Sequence, residues 1–190
     1  SVLSGTEFLR AINSGTPPAM PKRVAVIGGG NTAIDAARCA RRLGAEVVVL
    51  CPQDPHGSHG GHPGAEMPAS GGEVAQAEAE GVRLVYRVGV RRLVRSGRHL
   101  SGVEVARVER VHDRGGRFNP LLFEGTEEFF PAGLAIFAIG QEVAAAETWE
   151  GLTELEICER IVRDRVGFKR IVGLLPKEMG AQVVAKPELR

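Results

Sequence analysis

Arg23-Val24-Ala25-Val26-Ile27-Gly28-Gly29-Gly30-Asn31-Thr32-Ala33-Ile34-Asp35-Ala36-Ala37-Arg38-Cys39-Ala40-Arg41-Arg42-Leu43-Gly44-Ala45-Glu46-Val47-Val48-Val49-Leu50 is the stretch that decides the fold. Residues 23–27 are a short apolar run bounded by Pro21 and Gly28, suited to a strand buried on both faces. Asn31 to Leu43 reads as a helix, with Ala33, Ala36, Ala37 and Ala40 on one side and Asp35, Arg38 and Arg42 on another, within salt-bridging reach. Gly44 stops it, and Glu46 to Leu50 is a second buried run, so the crossover is expected to be parallel and right-handed. Between first strand and helix, Gly28-Gly29-Gly30-Asn31-Thr32-Ala33 satisfies G-x-G-x-x-G/A. Gly28 permits a tight turn, Gly30 bares the backbone to a pyrophosphate, and Ala33 lets the helix press on the sheet. The free N–H groups and dipole at the helix start supply an anion site. That motif is weak alone, but here strand, helix and second strand surround it at the required spacing. The unit is therefore read as a site for the pyrophosphate of a nicotinamide dinucleotide.

Working outward, Thr6 to Ile12 is expected to form a helical turn with Thr6 as N-cap, and Ser14 to Pro21 a Gly/Pro linker. Pro52 to Pro63 is rich in Gly, Pro and His and reads as a loop. Glu66-Met67-Pro68-Ala69 is expected to open the next helix, with Pro68 in its first turn, and Glu73 to Glu80 has helical propensity ending at Gly81. A strand follows at about 83–88, then short β-type runs from Arg91 to Phe130 alternate with turns at Ser96-Gly97 and Asp113-Arg114-Gly115-Gly116. Leu134 to Ile139 is another buried strand, ending at Gly140. The fold class is α/β: a Rossmann-like parallel sheet with an inserted antiparallel β-meander. Residues 1–141 are read as one NAD(P)-binding domain, with 1–21 its approach segment and linker, and 142–190 as a C-terminal extension where the pattern weakens.

Bulk properties bound the partners. The 190-residue chain carries 43% hydrophobic and 25% charged residues with net charge +1, so neither a nucleic acid nor another polyanion is expected. No apolar run approaches the ~20 residues of a membrane span. The N-terminal Ser1-Val2-Leu3-Ser4-Gly5 has no signal-like pattern, and three widely spaced cysteines (Cys39, Cys51, Cys158) argue for reduced thiols in a cytoplasmic protein.

The segments Gly28-Gly29-Gly30-Asn31-Thr32-Ala33-Ile34-Asp35-Ala36-Ala37-Arg38, Glu66-Met67-Pro68-Ala69, Glu80-Gly81-Val82 and Ala138-Ile139-Gly140-Gln141 occur in this order. Together with Glu7-Phe8-Leu9-Arg10-Ala11-Ile12-Asn13, they resemble the NADPH-binding domain of the glutamate synthase small (beta) subunit family. That group includes related flavin-dependent oxidoreductases such as the electron-input part of dihydropyrimidine dehydrogenase. The resemblance runs from about residue 5 to residue 141. It implies a module that takes hydride from NADPH to FAD, with electrons leaving through iron–sulfur clusters to a partner domain or large subunit. It also implies that Glu66–Ala69 borders the nicotinamide side.

The departures from that family bear on the cofactor. Where it carries Tyr-Arg-Arg at the end of the second strand, with arginines suited to a 2′-phosphate, this chain has Cys51-Pro52-Gln53. Asp54 lies slightly too far along to grip a ribose 2′-hydroxyl, so NADP and NAD both stay open, with the preference for NADPH expected to be slight or reversed. The sequence has one dinucleotide fingerprint, no Gly-Asp dipeptide, no iron–sulfur cysteine spacing and no Cys-x-x-Cys pair. FAD is thus expected in a fuller family member and not here, and the chain reads as an excised or degenerate part of an oxidoreductase. The alternative is a non-catalytic nucleotide-binding or partner-docking module, with self-association left open.

Candidate cofactor-binding residues are Gly28, Gly29, Gly30, Asn31, Thr32 and Ala33 from the turn, Cys51 and Gln53 where the adenosine ribose falls, and, on the resemblance, Ile139 and Gly140; Cys51 also reads, and more readily, as a buried strand-end thiol. No catalytic or metal-binding residue is assigned. His56, His59 and His62 could bind a metal or stand in for the missing arginines, but ordering a glycine-rich loop costs entropy. Asp35 with Arg38 reads as a helix-face salt bridge, Cys39 as packing, and Arg87, Arg91, Arg92, Arg95 and Arg98 as a solvated face.

Overall fold

The computed structural model describes residues 1–58 and 66–139. Gly140, His59, His62, Cys158 and the extension 142–190 lie outside the described residues. The two runs flanking the glycine turn are strands β2 (Arg23–Ile27) and β3 (Glu46–Leu50), joined by helix α2 (Asn31–Arg42). They pair in parallel in the register Arg23↔Glu46 to Ile27↔Leu50. On the other side of β2 lies β9 (Leu134–Phe137), also parallel, with Val24↔Leu134 and Ile27↔Phe137. With β1 (Val2–Ser4) at one edge and β4 (Arg83–Val85) at the other, the sheet order is β1-β9-β2-β3-β4.

Side-chain alternation splits each central strand between two cores. Val24 and Val26, Val47 and Val49, Leu134 and Ile136 face the helices, where Ala33, Ala36, Ala37 and Ala40 of α2 and Phe8 of α1 (Gly5–Asn13) meet them. The opposite faces, Ala25 and Ile27, Leu50, Ala135 and Phe137, pack on Val103, Val105 and Phe130. Those last three belong to an antiparallel sheet of β5 (Val88–Ser96), β6 (His99–His112), β7 (Phe118–Leu122) and β8 (Glu128–Pro131), in which β6 pairs with the other three. The result is three layers: helices, parallel sheet, antiparallel sheet. Burial on both sides explains the uninterrupted apolar runs of β2 and β9.

The meander expected between 91 and 130 is this antiparallel sheet, and it begins earlier and ends later than the turns suggest. The strand expected over 83–88 is in fact divided. Leu84 and its neighbours pair with β3, then Tyr86 and Arg87 turn the corner, and Val88 pairs with Arg107 of β6. Arg87 makes that corner with φ 59°. Asp113 shapes the β6–β7 turn, its Oδ1 accepting from the N–H groups of Gly115 (2.8 Å) and Arg117 (3.1 Å).

Several local expectations are corrected. Ser4, not Thr6, caps α1: its Oγ accepts from the Glu7 N–H while Glu7 reaches back to the Ser4 N–H, a reciprocal box that fixes the start two residues earlier. Glu66–Ala69 does not open a helix. Helix α3 runs over Gly71–Ala79 with Ser70 as N-cap, because the Ser70 hydroxyl accepts from Glu73 N–H and the preceding residues are held elsewhere. The helix-face pair of Asp35 with Arg38 does not form. Arg38 and Arg42 instead converge on Glu80 at the end of α3 (2.7 and 2.6 Å), and Arg41 Nε donates to the Glu80 carbonyl (3.0 Å). Of the arginines read as a solvated face, Arg92 pairs with Glu104 at 2.7 Å, Arg91 with Glu127, and Arg87 stands 3.5 Å from Asp54.

Candidate nucleotide site

Each of the three glycines after β2 answers a different physical demand. Gly28 has φ 137°, and a Cβ on it would stand 2.3 Å from the Ala138 carbonyl oxygen, so the end of β9 leaves room for no side chain. A Cβ on Gly29 would stand 2.7 Å from both Cys51 Sγ and Gln53 Oε1. Gly30 is the exception: its φ is −91° and nothing lies within 4 Å of where its Cβ would be. Packing among the described residues does not require glycine there.

Gly30 is also the N-cap of α2 and offers no side chain to its first turn. Its carbonyl accepts from the N–H groups of Ala33 (2.9 Å) and Ile34 (3.2 Å). Among the described residues no protein acceptor takes the N–H of Gly30, Asn31 or Thr32. Three donors at the positive end of a twelve-residue helix are thus free beside an open space.

That space is a cleft of about 410 Å³ at the carboxyl edge of β2, β3 and β9, lined by Gly28 to Thr32, Pro52, Gln53, Pro68, Phe118, Ala138 and Ile139. The structure brings together most of the residues singled out from the sequence: Gly28, Gly29, Gly30, Asn31, Thr32, Gln53 and Ile139 all face it. Ala33 lies behind it, fully buried in the helix-side core, as close helix–sheet contact requires. Of the two readings of Cys51, the structure has the buried strand-end thiol and not the cofactor contact. It is fully buried beneath Gly29, and its thiol hydrogen-bonds Gln53 Oε1 (3.3 Å), so it supports the floor and is not part of the wall. Burial pushes that thiol up to about 11, so it is protonated at neutral pH.

Pro52, Pro68, Phe118 and Ala138 complete the lining without having been singled out as contacts. Pro68 had a signal in the Glu66–Ala69 segment. Phe118 had none, because only the stacking of the antiparallel sheet carries β7 to the mouth of the cleft. The segment before α3 is tied onto the glycine turn at several points. Met67 N–H donates to the Asp54 carbonyl (2.8 Å), Ala69 N–H to the Gly29 carbonyl (2.9 Å), and Ser70 N–H to Asn31 Oδ1 (3.2 Å). His56 closes the strap, its Nε2 2.6 Å from the Ala69 carbonyl and its Nδ1 3.7 Å from Glu66. Among the described residues no three His, Cys, Asp or Glu side chains are grouped to hold a metal.

A parallel sheet, a glycine turn running into a helix and a cleft at the strands' carboxyl edge define a Rossmann-type dinucleotide fold. Residues 6–165 match the pyridine nucleotide-disulphide oxidoreductase family, and the chain belongs to it. It is 39% identical over 141 residues to the NADP(+)-dependent formate dehydrogenase subunit beta of Moorella thermoacetica, covering 73% of this chain and 19% of the relative. To the NADPH-Fe(3+) oxidoreductase subunit beta of Geobacter sulfurreducens (strain PCA) it is 39% identical over 140 residues, 73% and 20% of the two chains. To the glutamate synthase [NADPH] small chain of Azospirillum brasilense it is 35% identical over 138 residues, 72% and 27% of the two. The chain therefore spans 19–27% of the length of these relatives. Among solved structures, thioredoxin reductase from Giardia duodenalis shares the fold, with TM-score 0.50 and 19% identity over 73% of this chain and 35% of that one. No helix among the described residues is long and apolar enough to cross a membrane.

Proposed function

We propose that this domain binds NADP(H) or NAD(H) in the cleft at Gly28–Thr32 and presents its nicotinamide to a FAD carried outside residues 1–190. The observation that carries the reading is Gly30: among the described residues nothing fills the space over its α-carbon, and its N–H and those of Asn31 and Thr32 have no protein acceptor. A pyrophosphate suits that arrangement, since it is anionic, needs close approach to bare backbone and accepts from helix-start N–H groups. When bound, NAD(P)H supplies a hydride to an acceptor.

The chain's own part is to bind and orient. Gly30, Asn31 and Thr32 donate to the pyrophosphate, while the strap from Met67 to Ser70 ties down the turn through Gly29 and Asn31. Ala138 and Ile139 form the wall toward the end of β9. The names of the relatives, which specify NADP(+) or NADPH and a beta subunit or small chain, support a nicotinamide cofactor and a larger electron-transfer assembly. Ile139 and the adjoining Gly140 remain candidate cofactor contacts on the same reading.

Titration calorimetry with NADPH and NADH tests it. Binding in roughly the 10 μM to 1 mM range, equivalent to about −7 to −4 kcal/mol, is expected for the isolated chain. Gly30→Val should abolish binding of both while the thermal unfolding transition persists. Unchanged affinity in that variant would move the site elsewhere.

A further inference from the structure

We propose that Arg87 is the residue that admits the phosphorylated cofactor: its guanidinium, held beside Asp54 past the end of β3, takes the 2′-phosphate of NADP(H). The inference rests on the reading of the cleft as a pyridine-dinucleotide site.

In a unit of this kind the adenosine ribose meets the residues just beyond the second strand, here β3. The first candidates there carry no positive charge for a 2′-phosphate. Cys51 is fully buried and Gln53 is only 8% exposed, its Oε1 engaged by the Cys51 thiol under Gly29. The next side chain is Asp54, a carboxylate with 20% of its side chain exposed. Left without a counter-charge, it would repel a 2′-phosphate.

It is not alone. Arg87 comes from the corner between the two sheets and is fastened to this point by its backbone: its N–H donates to the Gln53 carbonyl (3.2 Å), and its own carbonyl accepts from Val108 N–H (2.7 Å). Among the described residues it is the one non-glycine with positive φ, at 59°. A glycine or asparagine would take that backbone at less cost, and none of these backbone bonds uses the arginine side chain. The observed strain therefore argues that the side chain itself is wanted at the corner.

The guanidinium is poised and incompletely used. Nη2 donates to the Glu109 carbonyl at 3.0 Å, which fixes its plane, and Nε lies 3.5 Å from Asp54 Oδ1. That second contact is longer than a charge-assisted hydrogen bond, so the aspartate is neutralised without consuming the arginine's donors. A planar fork with donors to spare suits a phosphate dianion. The arginines missing from positions 52 and 53 are thus replaced by one from a distant part of the chain.

The test is calorimetry of the full chain with NADP⁺ and NAD⁺ as probes, read as the ratio of the two dissociation constants. A ratio is unaffected if a variant lowers the fraction of competent protein, since both constants scale together. Arg87→Asn suits the left-handed backbone, so folding is preserved; it should weaken NADP⁺ about tenfold or more while NAD⁺ stays within about twofold. Arg87→Lys should fall between, and Asp54→Asn should strengthen NADP⁺ by removing the competing carboxylate. An Arg87→Asn ratio within twofold of the parent overturns the proposal while leaving the nucleotide reading intact. Failure of the parent chain to bind either cofactor at millimolar concentration overturns both.

Discussion

Replacing Gly28, Gly29 and Gly30 by alanine one at a time should give three different outcomes from three adjacent and chemically identical changes. At Gly28 the new Cβ would stand 2.3 Å from a backbone oxygen that cannot rotate away, at φ 137°. Strain of about 1–3 kcal/mol for that backbone and a similar overpacking term give a loss of roughly 2–6 kcal/mol. That is a large share of the ~5–15 kcal/mol that holds a domain together. At Gly29 the obstacles are two side-chain atoms at 2.7 Å, Cys51 Sγ and Gln53 Oε1, both buried, so about 1–3 kcal/mol is expected. Part of it should return in Gly29→Ala/Cys51→Ala, where one obstacle is gone; the coupling should exceed ~0.5 kcal/mol. At Gly30 nothing is met and φ is ordinary, so a loss of capping preference and a gain from a stiffer unfolded chain nearly offset, within about 1 kcal/mol. Urea unfolding of the three variants, with NADPH titration of those that fold, reads all of this. If Gly30→Ala proved as destabilising as Gly28→Ala, the inference that its bareness serves a ligand would fail.

Two further outcomes follow from the charged and thiol groups. The paired guanidinium groups of Arg42 and Arg38 hold the Glu80 carboxyl down to about 2 from its ordinary 4.5, so its contribution is complete above about pH 5 and is lost as pH falls from 4.5 toward 2. Glu80→Gln should lower the urea midpoint at pH 7 and flatten its fall over that acid window; parallel curves for parent and variant would contradict the pairing. Cys51, raised from 9.0 to about 11 by burial, should have a thiolate fraction of about 10⁻³ at pH 8 and resist iodoacetamide in the native protein, as peptide mapping would show. Its preference for the protonated form is a stabilisation present below pH 9 and lost as pH rises through 11. Rapid native alkylation of Cys51 would refute its burial.

What the sequence disclosed follows the range of the forces involved. The β2–α2–β3 unit was legible because its apolar runs, alanine face and glycine turn all act within 28 residues. β1 was not: three residues, Val2 to Ser4, are too few for a period, and their partner Ala135 to Phe137 is some 130 positions away. The start of α1 was misread because Ser4 and Thr6 are both credible caps, and only the Glu7 side chain, three residues after Ser4, distinguishes them. Glu80 drew Arg38 and Arg42 away from Asp35 because the end of α3 is packed beside α2, which no helix-face count reveals. The split at Tyr86 and Arg87 was hidden by continuous β propensity, since a corner made by a non-glycine residue carries no punctuation.

The same distinction explains which half of the cleft could be anticipated. The half of the cleft at Gly28 to Thr32 is built from backbone, and backbone needs appear in sequence as glycines at fixed intervals. The other half is built from Pro52, Gln53, Pro68 and Phe118, which come from beyond β3, from the strap and from the antiparallel sheet, and such convergence has no fixed spacing. Cys51 and Gln53 show why position alone misleads there. Gln53 does face the cleft, but its Oε1 is bound to the Cys51 thiol beneath the Gly29 backbone, where a Cβ would collide with both. Its Oε1 is thus committed to the floor while the rest of the side chain lines the cleft. On the proposed reading, discrimination at this end of the site falls to a side chain from outside the β2–α2–β3 unit, and Arg87, 3.5 Å from Asp54, is the one the corner between the sheets sets beside the residues that follow β3.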